Sequence, residues 1–305
     1  MVKNDSLVIF RKQLGDVLLL QPALALLAQQ GKVSLATRAN FADLLALMPG
    51  NISLAPRWLP SVSVVYCLEA RRGALVYAAQ ALGATRHLLL TRDNAPWWQT
   101  LFFTDMRIYP GETAYRAALY YQMVGGKAES FEPPRLKTPP PDWQLQGLPA
   151  AYGVIHPTAA WQRKAWAPER WIEALAGLSD GLKWVISSGP AQWEKELASR
   201  LATGLGEQAI NLAGRTSIRE YLALLANAKL TLCIDGSASH LSAAFGKPTL
   251  TLFGPTNPKH WHWASPITPY LSATDYSTEK RPPADAIPVA VVRKAIADLL
   301  EKIDV

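Results

Sequence analysis

Residues 230–261 read LTLCIDGSASHLSAAFGKPTLTLFGPTNPKHW, and their spacing decides the fold. Two apolar runs of strand length, "LTLCI" and "TLTLF", each empty into a loop of small and polar residues. Between them lies an Ala-rich helical segment closed by Gly-Lys-Pro. A strand, a short helix and a second strand at this spacing form the β-α-β unit of a parallel sheet. Both loops then fall at the carboxyl ends of adjacent parallel strands, the edge at which open α/β sheets bind ligands.

The same alternation extends outward in both directions. The chain opens with strand "SLVIF", loop "RKQLGD", helix "VLLLQPALALLAQQ", strand "KVSLAT" and helix "ANFADLLALM", a Rossmann-like start. Strands "VSVVYCL" and "RHLLLT" continue it, with "ALVYAAQAL" helical between them. The stretch "FEPPRLKTPPPDWQLQGLP" is Pro-rich and without periodicity, the texture of a linker. A second series follows: strand "YGVIH", helix "APERWIEALAGL" with Pro168 in its first turn, strand "LKWVISS", helix "PAQWEKELASRLA" and short strand "AINLAG". Ser217 and Glu220 stand in capping-box spacing at the start of "SIREYLALLANA". The expected class is α/β, two Rossmann-like parallel-sheet domains facing each other across a cleft. The expected boundaries are 1–142, 143–285, and a C-terminal helix 286–305 able to pack back toward the first domain.

Composition narrows the function. Of 305 residues 49% are hydrophobic and 18% charged, which fits an ordinary globular protein. A net charge of +7 favours an anionic partner. No Lys/Arg block interleaved with aromatics occurs, which disfavours nucleic acid. Cys67 and Cys233 are too few for a disulfide framework or a zinc site and read as buried thiols in a reducing cytoplasm. The apolar run at the N-terminus is too short for a signal peptide, and no run reaches membrane-spanning length. The 11 Trp are many for this size. Trp97, Trp98, Phe102 and Phe103 cluster, either as core or as a belt against a membrane interface.

The usual nucleotide signatures are missing: no G-x-G-x-x-G after a strand, no P-loop, no D-x-D, and no G-x-S-x-G elbow. What remains suits a diphosphate held without a metal. Backbone N–H groups at helix starts can grip an anion from "DGSASH" and "FGPTNP". "HPTAAWQRKAW", residues 156–166, adds Arg163 and Lys164 at another strand end, where an ammonium can neutralise charge. In the first half Asp16 follows Gly15 at a strand-to-helix turn. It is either an N-cap or, facing the cleft, a base for an incoming hydroxyl. His240 is either a bond to the donor or a packed residue.

At these residues the chain resembles the ADP-heptose:lipopolysaccharide heptosyltransferases, glycosyltransferase family 9, of GT-B fold. The resemblance rests on "GDVLLLQPAL", "HPTAAWQRKAWAPERW", "INLAGRTSIREYLALLANAKL" and "CIDGSASHLSAAFGKPTLTLFGPTNP", and is weak over 56–149. It implies an inverting, metal-independent transfer of heptose from ADP-heptose to a lipopolysaccharide core sugar, with no cofactor. By position Asp16 becomes the general base. Thr158, Arg163, Lys164, Asp235, Gly236, Ser237, His240, Gly254, Pro255 and Thr256 contact the donor, with Gly15 and Gly189 completing the set. The partners it implies are a lipid-linked acceptor and the anionic cytoplasmic face of a Gram-negative inner membrane. One departure stands out: the family usually has Asp-Ser/Thr-Gly before the His, and here Gly236 precedes Ser237. The exchange leaves open which group meets the phosphate and which sugar the donor carries. Two alternatives remain: a transferase of the same fold with another donor or acceptor, and a non-catalytic ADP-sugar-binding homologue.

Overall fold

The apolar runs become the strands of two parallel sheets. The computed structural model describes residues 4–57, 61–69, 78, 81, 83–91, 97–111, 114–178 and 181–302. The chain divides into two units, Met1–Lys137 and Thr138–Val305, and the division falls within the Pro-rich stretch.

In the first unit the strands are β1 (Ser6–Ile9), β2 (Val33–Ala36), β3 (Ile52–Leu54), β4 (Val64–Cys67), β5 (Thr85–Leu90) and β6 (Asp105–Ile108). Their order is β3-β2-β1-β4-β5-β6, all pairs parallel. In the second they are β7 (Tyr152–His156), β8 (Lys183–Ile186), β9 (Ala209–Asn211), β10 (Leu230–Ile234), β11 (Thr249–Phe253) and β12 (Tyr270–Ser272). Here the order is β12-β11-β10-β7-β8-β9, again parallel. Counted from its own first strand, each sheet has the doubly wound order 3-2-1-4-5-6. The order reverses between β1 and β4 in one unit and between β7 and β10 in the other, and such switch points are where ligands bind.

Every residue of β7, β10 and β11 is buried, as continuous apolar runs in a parallel sheet demand. Trp166, Trp171 and Trp184 are fully buried in the core of the second unit, the first two edge-to-face at 5.0 Å. Gly153 interrupts the bulky run of β7 because the Trp184 ring occupies the space a Cβ there would need. The C-terminal helix Val289–Leu300 buries Val292, Ile296 and Leu299 in this same core. Both cysteines are buried and free, and burial pushes their thiols up to about 12, so neither carries a reactive thiolate.

Local signals are realised where the spacing promised them. Ser217 Oγ accepts the Glu220 N–H while Glu220 returns a bond to the Ser217 N–H at 2.7 Å, so the helix Ile218–Asn227 starts on a full capping box. Pro168 opens the helix Pro168–Leu175. One expectation is corrected: "VLLLQPALALLAQQ" is not a single helix but two, Leu14–Leu19 and Gln21–Ala28. Pro22 has no N–H to offer the Leu18 carbonyl, so the helix cannot run through it, and Leu20 forms the joint. The strands β3, β6 and β12 had no sequence signal. The helix expected over "ALVYAAQAL" lies outside the described residues apart from Ala78 and Ala81.

Candidate functional site

The switch point of the second sheet gathers three loops. The register sets Cys233 beside His156 and Ile234 beside Leu252, so the loops after β7, β10 and β11 leave from neighbouring strand ends. Asp235, directly after β10, is 2% exposed. A carboxylate so buried must be paired. Lys164 Nζ, from the loop after β7, lies 2.6 Å from Asp235 Oδ2, and Thr256, from the loop after β11, donates its hydroxyl to the same oxygen at 2.7 Å. Lys164 keeps 17% of its side chain in solvent, so its charge is available to an incoming group.

Two further features face the same chemistry. The helix Ser237–Ala244 begins after Gly236, which has no side chain to cap it, so its first N–H groups are left for a ligand or water. Thr158 is fully buried, and its hydroxyl has no hydrogen-bond partner. Buried hydroxyls are normally satisfied, so this one has hydrogen-bonding capacity left for a bound group. Burial lowers the His240 imidazole to about 4, against the pull of the Asp235 charge. His240 is therefore neutral at pH 7, able to donate from one nitrogen and accept at the other.

The remaining sequence-derived positions fall into place differently. Gly236 has an extended backbone, and a Cβ there would meet Ala159 at an ordinary 3.5 Å, so its conformation does not require glycine. Gly254 does require it: a Cβ would press on the Ala284 backbone N at 2.8 Å. Pro255 joins Gly254 to Thr256. At Gly189 a Cβ would overlap the Glu194 carboxylate, which accepts the Ala191 N–H at 3.2 Å at the start of the next helix. Arg163 is turned to the 279–281 segment, donating to the Arg281 carbonyl at 3.0 Å, with Glu279 at 4.0 Å.

In the first unit Asp16 is the third residue of the helix Leu14–Leu19, with Gln13 at the N-cap position and no side-chain cap bond. The capping alternative therefore does not describe it. Gly15 is buried in the same turn. Burial pushes the nearby Tyr120 hydroxyl up, and the Asp16 charge adds to that push. On the other side of the switch point Glu69, 6% exposed, follows β4 and accepts the Arg11 N–H through Oε1 at 3.1 Å. Arg38, after β2, donates to Gln13 Oε1 at 3.1 Å. The turn that carries Asp16 is thus tied to both neighbouring strand ends. Glu69 escaped the sequence reading; its signal was a carboxylate placed directly after the apolar run "VVYCL".

A second missed group lies beside the loop after β10. His156 Nδ1 is 2.7 Å from Ser187 Oγ, and its ring stands 5.4 Å from that of Tyr221. Burial alone lowers this imidazole to about 4. Tyr221 Oη is 3.3 Å from Ser237 Oγ.

Comparison with known proteins bears on this geometry. A family profile described as "Glycosyltransferase family 9 (heptosyltransferase)" matches residues 128–284, just over half of the chain. The chain is 24% identical over 253 residues to lipopolysaccharide heptosyltransferase 3 of Escherichia coli, covering 78% of this chain and 70% of that protein. It is 38% identical over 114 residues to lipopolysaccharide heptosyltransferase 1 of Pseudomonas aeruginosa, 36% of this chain and 30% of the relative. Among solved structures, E. coli ADP-heptose lps heptosyltransferase II superposes with a TM-score of 0.78 at 19% identity, over 98% of this chain and 99% of that one. E. coli heptosyltransferase WaaC with ADP gives 0.75 at 19% identity, over 97% and 99%. At such identities the likeness shows the fold, and it bears out the GT-B class expected from the sequence.

Proposed function

Because the chain belongs to glycosyltransferase family 9, the heptosyltransferase family, we propose that it transfers a heptose from ADP-heptose to a sugar of the lipopolysaccharide inner core. The observation that carries the donor site is the meeting of Lys164, Asp235 and Thr256 at the switch point of the second sheet, beside the buried, unpartnered Thr158 hydroxyl. A diphosphate placed there takes the Lys164 ammonium, the Thr158 hydroxyl and the first N–H groups of the helix Ser237–Ala244. Two solved structures of similar fold are heptosyltransferase WaaC with ADP and with ADP-2-deoxy-2-fluoro heptose, which supports an ADP-sugar as donor.

The proposed chemistry is a single displacement. An acceptor hydroxyl oxygen bonds to the anomeric carbon as the bond from that carbon to the diphosphate oxygen breaks, which inverts the centre. The hydroxyl proton passes to the Asp16 carboxylate. The charge that builds on the departing ADP is met by Lys164 and by the partial positive charge of the helix start, so no metal is called on. Arg163, Gly236, His240, Gly254 and Pro255 are assigned to the loops that enclose the donor. The acceptor is lipid-linked in this reading, which places the enzyme at the cytoplasmic face of the inner membrane, held there by its +7 charge.

The test is transfer itself. The purified protein is mixed with ADP-heptose and heptose-deficient lipopolysaccharide, with and without EDTA, and ADP release and acceptor mass are followed. A gain of one heptose, unaffected by EDTA, is expected. ADP binding without transfer to any core acceptor would favour the non-catalytic homologue. Transfer that EDTA abolishes and magnesium restores would overturn the metal-free mechanism.

A further inference from the structure

Ser237 is the first residue of the helix that follows Asp235 and Gly236, and its hydroxyl lies 3.3 Å from the hydroxyl of Tyr221. The next serine along, Ser239, is already committed, donating to the Gly236 carbonyl at 2.8 Å. Tyr221 comes from the helix Ile218–Asn227 and is backed by the His156 ring at 5.4 Å, itself fixed by Ser187 at 2.7 Å. Three neighbouring elements thus hold the phenol against a serine at the mouth of an anion site.

We propose that Tyr221 is a positioning residue for the donor's diphosphate: its phenol O–H is given to Ser237 Oγ, so that the Ser237 proton is turned outward to a phosphate oxygen. This rests on the donor-site reading above. Each hydroxyl carries one proton and can accept at its oxygen. When an anion draws the proton of Ser237, the serine oxygen needs a donor behind it, and Tyr221 is the group within reach. Burial drives the Tyr221 hydroxyl well above its ordinary range, so it stays protonated and able to donate. Hydrogen bonds in series polarise one another, so the serine is a stronger donor with Tyr221 behind it than without.

A double-mutant cycle tests this. ADP affinity is measured calorimetrically for the native protein, Tyr221→Phe, Ser237→Ala and the double variant, with kcat at saturating donor and Tm alongside. Each single change removes one hydrogen-bonding oxygen and should weaken ADP about three- to tenfold. The double variant should bind no more than about twofold weaker than Ser237→Ala, since both changes break one relay. Tm of Tyr221→Phe should hold, because the phenylalanine keeps the ring that packs on His156. Unchanged ADP affinity in either single variant, or losses that multiply in the double, would overturn the relay. Lys164→Ala in the same series separates the two levels of the argument. Should it leave ADP binding intact, the donor site itself is misplaced. Should it weaken binding while Tyr221→Phe does not, only the relay fails.

Discussion

Lys164 Nζ lies 2.6 Å from Asp235 Oδ2 and 3.3 Å from the Asp235 carbonyl oxygen. The ammonium is therefore engaged by a carboxylate that sits almost out of water. A diphosphate bound as proposed would share that ammonium with Asp235, which would make the pair an anion trap with an internal competitor. Thr256, donating to the same carboxylate oxygen, satisfies part of Asp235 independently of the lysine.

Lys164→Ala removes the trap's positive charge. Losing a hydrogen bond to a charged group costs about 1.5–3 kcal/mol, so ADP should bind about ten- to a hundredfold more weakly by calorimetry. Affinity within about twofold of the native protein would show that the diphosphate lies elsewhere.

Asp235→Asn probes the same pair from the other side. The amide keeps an acceptor for Thr256 but leaves the Lys164 ammonium without its counter-charge. The empty protein should melt several degrees lower, since removing one partner of a buried pair is costly. Saturating ADP, supplying the missing charge, should raise Tm by more in the variant than in the native protein. An equal or smaller rise would mean that ADP does not meet this lysine.

Much of this site was legible because parallel strands announce themselves. The runs "YGVIH", "LTLCI" and "TLTLF" are buried throughout, and each empties into a polar loop at its carboxyl end, so Lys164, Asp235 and Thr256 could be placed on one sheet edge from spacing alone. Three of the four edge strands send no such signal: "DMRI" carries two charges in four residues, and "YLS" and "ISL" are three residues long. Contacts between side chains far apart in the chain were equally silent. Glu69 finds the Arg11 N–H 58 residues away, and His156 finds Ser187 31 residues away, neither at any period a sequence pattern displays. The break at Leu20 was legible in principle, since Pro22 cannot donate within a continuous helix, but the apolar run on both sides masked it.

Two imidazoles, His156 buried and His240 half-buried, make stability depend on acid. His156 and His240 titrate near 6.5 when unfolded and are lowered to about 4 in the fold, first of all by burial. Between those values the unfolded chain binds more protons, so stability rises with pH there. Above about 6.5 both states are neutral and these groups add no slope. The urea midpoint should fall as pH drops from 6.5 toward 4, and His156→Gln should flatten that dependence. An unchanged slope in this variant would assign the acid sensitivity to other groups.

Attachment to a membrane surface is expected to be electrostatic with an apolar component. Among the described residues no helix is long and apolar enough to cross a bilayer. Trp97 and Leu101 are 77% and 73% exposed in the first unit, beside the Asp105–Ile108 edge strand. Binding to anionic vesicles in flotation should fall as salt shortens the screening length from about 10 Å at 0.1 M to about 3 Å at 1 M. Trp97→Ser with Leu101→Ser should lower the part that survives high salt. If vesicle binding ignores both salt and these changes, the surface proposed is the wrong one.

Asp16 decides whether the mechanism has a base. It occupies the third position of its helix rather than the cap, where a first-turn carboxylate interacts with the helix dipole by about 0.3–1 kcal/mol. Asp16→Asn forfeits that contribution and the proton acceptor while keeping the shape. If the residue is structural, Tm should slip slightly and kcat should barely change. If it takes the acceptor's proton, kcat at saturating donor should fall about 10²–10⁴-fold with the same small change in Tm. The acidic limb of the pH–rate profile, which reports the carboxylate ionising, should disappear with it. ADP affinity should be unaffected, because the diphosphate contacts proposed here all lie in the other unit. Turnover close to native in Asp16→Asn would return the residue to its helix and require a different group, with Glu69 across the switch point the next to be substituted.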